Sequence, residues 1–388
     1  MAMAAEFKPG NHLTLLNSGA EYFPALLTAI NEAQHEVHLE SYIFEDDNTG
    51  RAVAEALMAA ARRGITVRLL VDGFGAPDFS TLLMPALIGA GVMALAYRPD
   101  IARFKMRRHR LRRLHRKLVV IDGEIAFVGG INIIDDLNSD DHLPARYDYA
   151  VRVEGPVLLP IRHSMRRLWE IVTWVNMRHR YRTRPSSMPN PLPRGEQMAA
   201  FLVRDNIRHR HDIENAYLAA IANAREYILI ANAYFLPGRR FRRALREAAK
   251  RGVRVTILLQ GRIEYRLFHY ATQALYGKLL NAGIHLFEYR HSYLHAKVAV
   301  IDDRWATVGS SNIDPFSLLL AKEANLVVLD RPFAEQLRSS LERSMQEGAR
   351  ELPTQRWEQF PWHSHLLRWA SYNLVRMAIV LLGYGGKD

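Results

Sequence analysis

The chain contains no cysteine. That excludes a disulfide framework, a thiolate nucleophile and a thiolate metal site, and it fits a reducing compartment. Acidic residues are in the minority, 40 against 52 lysines and arginines, which leaves a net charge of +12. A long uninterrupted apolar run is also missing. The apolar C-terminal segment Trp362–Leu382 is broken by His363, His365, Arg368 and Arg376, which is too polar for a spanning helix. Met1 to Gly10 holds no apolar core of signal-peptide length. What is present is ordinary for a folded chain: 388 residues, 49% hydrophobic and 24% charged. That length allows two or more domains, each with its own core.

The positive charge is clustered. Arg103, Lys105, Arg107, Arg108, Arg110, Arg112 and Arg113 run into His115-Arg116-Lys117, and Arg178, Arg180, Arg182 and Arg184 form a second group. A charge run is as readily a solvated face as a binding site. A surface of this sign favours polyanions, either nucleic acid or an anionic membrane.

Apolar periodicity repeats along the chain. Residues 21–33 read as a helix, 37–44 as a strand, 52–63 as a helix ended by Gly64 and 65–71 as a strand. The order recurs as helix 212–224, strand 227–235, helix 241–251 ended by Gly252 and strand 253–259. Strands alternating with helices imply layered α/β lobes, and a period this long is a domain duplication rather than a solenoid. A proline-rich stretch, residues 185–196, separates the halves. The expected organisation is a first lobe at 1–184, the linker, a second lobe at 197–350 and an amphipathic segment at 351–388.

The duplication carries chemistry. His115-Arg-Lys117-Leu-Val-Val-Ile-Asp122 recurs 180 residues later as His295-Ala-Lys297-Val-Ala-Val-Ile-Asp302. Asn132 and Asn312 each follow their histidine by 17 residues, after Gly129-Gly130 and Gly309-Ser310. One His-x-Lys among 16 histidines is unremarkable, but two with the same tail are not chance. Side chains alternate along a strand, so His115 and Lys117 share one face. Asp122 falls on the other parity at the strand end, where Asp-Gly marks a hairpin. Asp302-Asp303 marks the same turn in the second half. Parity therefore gives His and Lys the catalytic work and Asp the turn.

These paired motifs, with Asp148–Pro156, Ala231–Gly238 and Trp305–Pro315, resemble the phospholipase D superfamily. Within it, the chain is most similar to the bacterial cardiolipin synthases, especially type B, over roughly residues 10–350. The resemblance implies two pseudo-symmetric α/β/α sandwich lobes, the phospholipase D fold, with one active site at their interface. It places His115, Lys117, Asp122, His295, Lys297 and Asp302 in the catalytic motifs. Lys117, Lys297, Asn132 and Asn312 would hold the substrate phosphate, where fixed donors stabilise developing charge. His115 would be the nucleophile, forming a phosphohistidine, and His295 the acid and base. A carboxylate downstream of each motif would orient its histidine, and Asp148 and Glu323 occupy those positions. No metal and no cofactor are expected, because two lysines supply the positive charge.

The resemblance further implies transfer of a phosphatidyl group to phosphatidylglycerol, with phosphatidylglycerol or phosphatidylethanolamine as donor. A phospholipase D-type hydrolase and a nuclease are the alternatives. Met165, Leu168, Trp169, Val172 and Val175 keep helical spacing, and both they and Trp362–Leu382 read either as core helices or as helices in a membrane interface. The basic run has few aromatics for base stacking. An anionic phospholipid membrane is thus the expected partner and nucleic acid is not. The expected location is peripheral, on the cytoplasmic face of a bacterial inner membrane.

Overall fold

A computed structural model describes residues 6–98, 112–135, 144–178, 181, 190–205, 208–315, 317, 320–353 and 362–379. Arg103, Lys105, Arg107, Arg108, Arg110, Arg180, Arg182 and Arg184 lie outside these, as do most of the proline-rich stretch and residues 380–388.

The first half runs β1 (Lys8–Asn17), α1 (Ser18–Glu32), β2 (Glu36–Ser41), α2 (Asn48–Arg62), β3 (Thr66–Asp72), α3 (Phe79–Leu82), α4 (Met84–Gly89), β4 (Met93–Tyr97), β5 (Lys117–Ile121), β6 (Ile125–Gly129), β7 (Tyr149–Glu154) and α5 (Leu158–Val175). The second half repeats this order: β8 (Gln197–Arg204), α6 (Asp212–Asn223), β9 (Tyr227–Asn232), α7 (Arg239–Lys250), β10 (Arg254–Gln260), α8 (Arg266–Gln273), α9 (Tyr276–Leu280), β11 (His285–Tyr289), β12 (Lys297–Ile301), β13 (Trp305–Gly309), β14 (Glu323–Leu329) and α10 (Arg331–Gly348). A short β15 (Ala349–Glu351) and α11 (Trp362–Ile379) follow.

Among the described residues the strands form one sheet. The first half contributes the order β4-β3-β2-β5-β6-β7-β1, and the second contributes β11-β10-β9-β12-β13-β14-β8. The halves join where β1 lies antiparallel to β8, and β15 extends the far edge beside β11. In each half the first three strands are parallel and the motif strand is antiparallel to its neighbours. Helices cover both faces, so the central strands are apolar on both sides. Val119 and Ile121 of β5 pack with Leu26, Ile30, Val53 and Leu57 of α1 and α2. Leu118 and Val120 face the other way, into a core shared by both halves that includes Ile161 of α5 and Leu337 of α10. Helix α2 starts where Asp47 accepts from the Gly50 amide at 2.7 Å and ends before Gly64, whose φ of 89° a Cβ would strain.

The helical stripe in α5 is core. Met165, Leu168, Trp169 and Val172 are buried, and the Trp169 indole donates to the Tyr181 carbonyl at 2.8 Å. Leu70, Tyr97 and Leu114 pack around it. Only the helix end differs: Ile171, Trp174, Val175 and Met177 are exposed.

Asp122 and Asp302 stand apart from the histidine and lysine of their motifs. Each stands at the end of its motif strand away from the histidine. Asp122 takes φ 52° and Gly123 φ 65°, and Glu124 N–H closes the turn on Ile121. The Asp122 carboxylate also accepts from the amides of Gln34, His35 and Glu36 at 2.7–2.8 Å, which fixes the start of β2. Asp302 does the same for Arg225, Glu226 and Tyr227 at 2.7–2.9 Å. Asp122→Ala is expected to cost about 2 kcal/mol of stability, the scale of losing charge-assisted hydrogen bonds. The folded fraction should keep its activity. Urea unfolding beside an activity assay on native protein checks both parts, and a dead but stable variant would return Asp122 to the catalytic set.

Candidate active site

The two motifs meet where the halves join. His115 N–H bonds the Lys322 carbonyl at 3.0 Å, and Leu114 bridges Lys322. In the mirror arrangement His295 N–H bonds the Tyr147 carbonyl at 2.8 Å, and Leu294 bridges Tyr147. The residue before each histidine thus pairs with the residue before the other half's carboxylate.

This crossing decides the side-chain partners. His115 Nδ1 lies 3.0 Å from Glu323, and His295 Nδ1 lies 2.6 Å from Asp148. Asp148 and Glu323 are brought to the histidines, but each holds the ring of the opposite half, not the half whose motif precedes it. With Nδ1 engaged, Nε2 of each ring is left for chemistry. Local packing matches the different lengths of the two carboxylates. Ser310 donates to Glu323 at 2.5 Å, whereas a Cβ on Gly130, its counterpart, would lie 2.4 Å from an Asp148 oxygen. The shorter carboxylate sits over the glycine and the longer one is braced by the serine.

Both lysines are buried. Lys117 Nζ donates to the His115 carbonyl at 2.6 Å and lies 5.2 Å from the centre of the Tyr42 ring. Lys297 Nζ donates to the His295 carbonyl and approaches His295 Nδ1 at 2.9 Å and Asp148 at 3.7 Å. Burial pulls Lys117 down to about 7 and lowers Lys297 as well, against the pull of Asp148 and Glu323. Both histidines are also lowered, chiefly by burial, His295 to about 4 with Lys297 reinforcing the shift. Burial would raise Glu323, but the charges and hydrogen bonds of His115 and Lys117 outweigh it and hold the carboxyl below its ordinary value. These shifts favour neutral imidazoles and an ionised Glu323 in the empty site, and an incoming anion would favour the charged form of both lysines.

Asn132 and Asn312 are buried beside the motifs. Asn132 Oδ1 accepts from the Ile43 amide at 3.2 Å, which leaves its amide group as a donor. In the second half Asn232, at the end of β9, accepts from the Ile313 N–H at 3.1 Å.

Three contributors have no sequence signal. Tyr42 packs its ring against His115 at 4.7 Å between centroids. Asp72 and Gln260 each accept from the amide before a motif histidine, Leu114 at 2.8 Å and Leu294 at 3.1 Å. They stand at the ends of β3 and β10, far from the motifs in sequence. Arg116, inside the first motif, is buried against Glu40 and donates to Ser164 at 2.7 Å. The last residue of the basic run is therefore committed to the fold. Two rigidly held imidazoles, two buried ammonium groups and two amide side chains around one point suit nucleophilic displacement at an anionic phosphoryl centre.

The chain is similar to known proteins. The family model described as "Cardiolipin synthase, PLD-like domain" matches residues 26–143 and 217–345. Cardiolipin synthase B of Escherichia coli (strain K12) is 42% identical over 349 residues, covering 87% of this chain and 81% of that protein. The major cardiolipin synthase ClsA of Bacillus subtilis (strain 168) is 30% identical over 347 residues, 88% of this chain and 70% of that one. Among solved structures, phosphatidylserine synthase of Haemophilus influenzae superposes with a TM-score of 0.68 at 13% identity, covering 95% of this chain and 94% of that chain. That likeness shows the shared fold. With the family model spanning both motifs and both halves, the chain belongs to the PLD-like cardiolipin synthase family.

Proposed function

We propose that this protein makes cardiolipin by moving a phosphatidyl group from one phospholipid to the headgroup hydroxyl of phosphatidylglycerol. The observation that carries the reading is the pair of histidines, each fixed through Nδ1 by a carboxylate of the opposite half, with a buried lysine beside each. His115 Nε2 attacks phosphorus and forms a P–N bond. The donor's headgroup alcohol leaves as its P–O bond breaks and takes the Nε2 proton of a His295 imidazolium, the charged form that Asp148 and the bound phosphate favour over the neutral ring of the empty site. The acceptor hydroxyl then gives its proton to His295 and attacks, and the P–N bond breaks. Lys117, Lys297, Asn132 and Asn312 hold the phosphoryl oxygens, so neither step needs a metal. Phosphatidylglycerol or phosphatidylethanolamine serves as donor. Water in place of the acceptor would give phosphatidic acid.

The surface supports a lipid substrate. Helix α11 packs inverted on α8. Arg368, Ser371 and Val375 are buried, with Arg368 Nε donating to Gln273 at 3.0 Å, while Leu366, Leu367, Trp369, Leu374 and Met377 are exposed. A helix in water does the opposite. Trp369 is 62% exposed, and Trp174 at the end of α5 is 67% exposed. Exposed aromatic and apolar side chains on a net-cationic chain suit an anionic bilayer interface. No helix among the described residues is long and apolar enough to cross a membrane. We place the protein peripherally on the cytoplasmic face of a bacterial inner membrane.

Incubation of the pure protein with phosphatidylglycerol vesicles, with and without phosphatidylethanolamine, followed by mass spectrometry, tests the reading. Cardiolipin should accumulate, and should still do so in EDTA. Phosphatidic acid alone would make the protein a hydrolase, and no turnover by folded protein would overturn the proposal.

A further inference from the structure

The halves share one plan, so the places where they differ mark a division of labour. Register gives the correspondence. Asn232 pairs with Lys297 as Ser41 follows the Glu40–Leu118 pair beside Lys117. Phe44 and Phe235 bridge Ile133 and Ile313. Tyr42 thus corresponds to Ala233 and Ile43 to Tyr234. At the ends of β3 and β10, Asp72 corresponds to Gln260, so Phe74 and Ala76 correspond to Arg262 and Glu264.

The first-half wall is aromatic and closed. Tyr42 fills it, lying on His115 and so close to Gly75 that a Cβ there would sit 2.7 Å from its ring. Asp72 is fully engaged, accepting from Leu114, Phe74 and Gly75 amides. The second-half wall instead holds a small cavity whose lining mixes aromatic and polar side chains. Where Tyr42 stands in one half, Ala233 in the other borders a cavity that Tyr234, Gln260, Glu264 and His269 also line. Gln260 uses Oε1 on the Leu294 amide, and that bond fixes which way its amide points. Its Nε2 is buried with no hydrogen-bond partner, and the side chain is 92% buried, being 8% exposed. An orphaned buried donor of this kind is costly unless something meets it. Beside it, Glu264 accepts from the Tyr234 hydroxyl and pairs with Arg146 at 3.4 Å. Arg146 directly precedes Tyr147, whose backbone holds His295.

We propose that Gln260 and Glu264, held by Tyr234 and Arg146, form a hydroxyl-recognising subsite for the polyol headgroup exchanged at His295. A hydroxyl is both donor and acceptor. Gln260 Nε2 supplies a donor and the Glu264 carboxylate an acceptor, so a vicinal diol such as a glycerol headgroup meets both. The first-half wall, with Tyr42, Ile43, Phe74 and Ala76, offers no such pair. The asymmetry gives His295 the alcohol and leaves His115 for phosphorus, and in this it rests on the phosphatidyl-transfer reading.

The test uses the full chain and phosphatidyl-p-nitrophenol as a donor whose leaving group is not a polyol. Deuterated glycerol and 1-propanol compete at equal concentration, and mass spectrometry gives the ratio of the two phosphatidyl alcohols. That ratio is internal to one reaction, so it is insensitive to the fraction of active protein. Glu264→Gln and Gln260→Leu are each expected to lower the glycerol preference about tenfold, the scale of one lost hydrogen bond to a buried or charged group. An unchanged ratio in both variants overturns the subsite. Absence of any phosphatidyl alcohol with the wild type instead overturns the phosphatidyl-transfer reading, and the subsite with it.

Discussion

Replacing His115 by asparagine should abolish covalent capture of the lipid, and replacing His295 should not. With phosphatidyl-p-nitrophenol the leaving group needs no proton. His295→Asn should therefore still release one equivalent of nitrophenolate in a burst and then stall with the phosphatidyl group on the protein. His115→Asn should show no burst. Overall transfer between natural lipids should fall by about 10⁴-fold or more in either variant. The double variant should be little worse, because residues that act as a unit are strongly non-additive. Labelled lipid should be recovered on His295→Asn after denaturation in alkaline detergent, since phosphohistidine is labile to acid. A burst in His115→Asn with none in His295→Asn would reverse the two roles. In the wild type, kcat/KM should fall as pH rises through about 7, where free Lys117 loses its proton. The acid limb should lie below the ordinary histidine range, because burial keeps the attacking His115 ring neutral.

The second expectation follows from the crossed carboxylates. Glu323→Gln should suppress the nitrophenolate burst, and Asp148→Asn should spare the burst but slow transfer to the acceptor. Each loss should be about 10³–10⁴-fold, the scale seen when the carboxylate partner of a catalytic histidine becomes an amide. The physical reason is the tautomer. A carboxylate accepts from Nδ1–H and leaves Nε2 free, whereas an amide can donate to Nδ1 and place the proton on Nε2. If each carboxylate served the histidine of its own half, the two phenotypes would be exchanged. Circular dichroism and melting curves near wild type would show that the effect is on positioning and not on folding.

Much of the fold is legible in short-range pattern. The eight helices and strands read from periodicity begin and end within a few residues of their expected bounds. The doubled His-x-Lys, the asparagine tails and the Asp-Gly turn are local, and strand parity already separates Asp122 from His115 and Lys117. Helix α5 was ambiguous for a physical reason: the spacing of Met165, Leu168, Trp169 and Val172 is the same whether that face meets a sheet or a bilayer. Only the packing of Leu70, Tyr97 and Leu114 around it settles the matter.

The duplication, with a His-x-Lys pair and a following asparagine in each half, is legible along the chain alone, because it resides in residue types at fixed spacing along single strands. The tertiary structure decided how the halves cooperate. Glu323 lies 208 residues from His115 and Asp148 lies 147 from His295. Their crossing depends on Leu114 meeting Lys322 and Tyr147 meeting Leu294 across the join. The difference between the walls is of the same kind. Tyr42 against Ala233, and Asp72 against Gln260, are unremarkable pairs along the chain. They acquire meaning once the β8–β1 junction brings the halves together, where Tyr42 fills the wall beside His115 and Ala233 leaves a small cavity in its place.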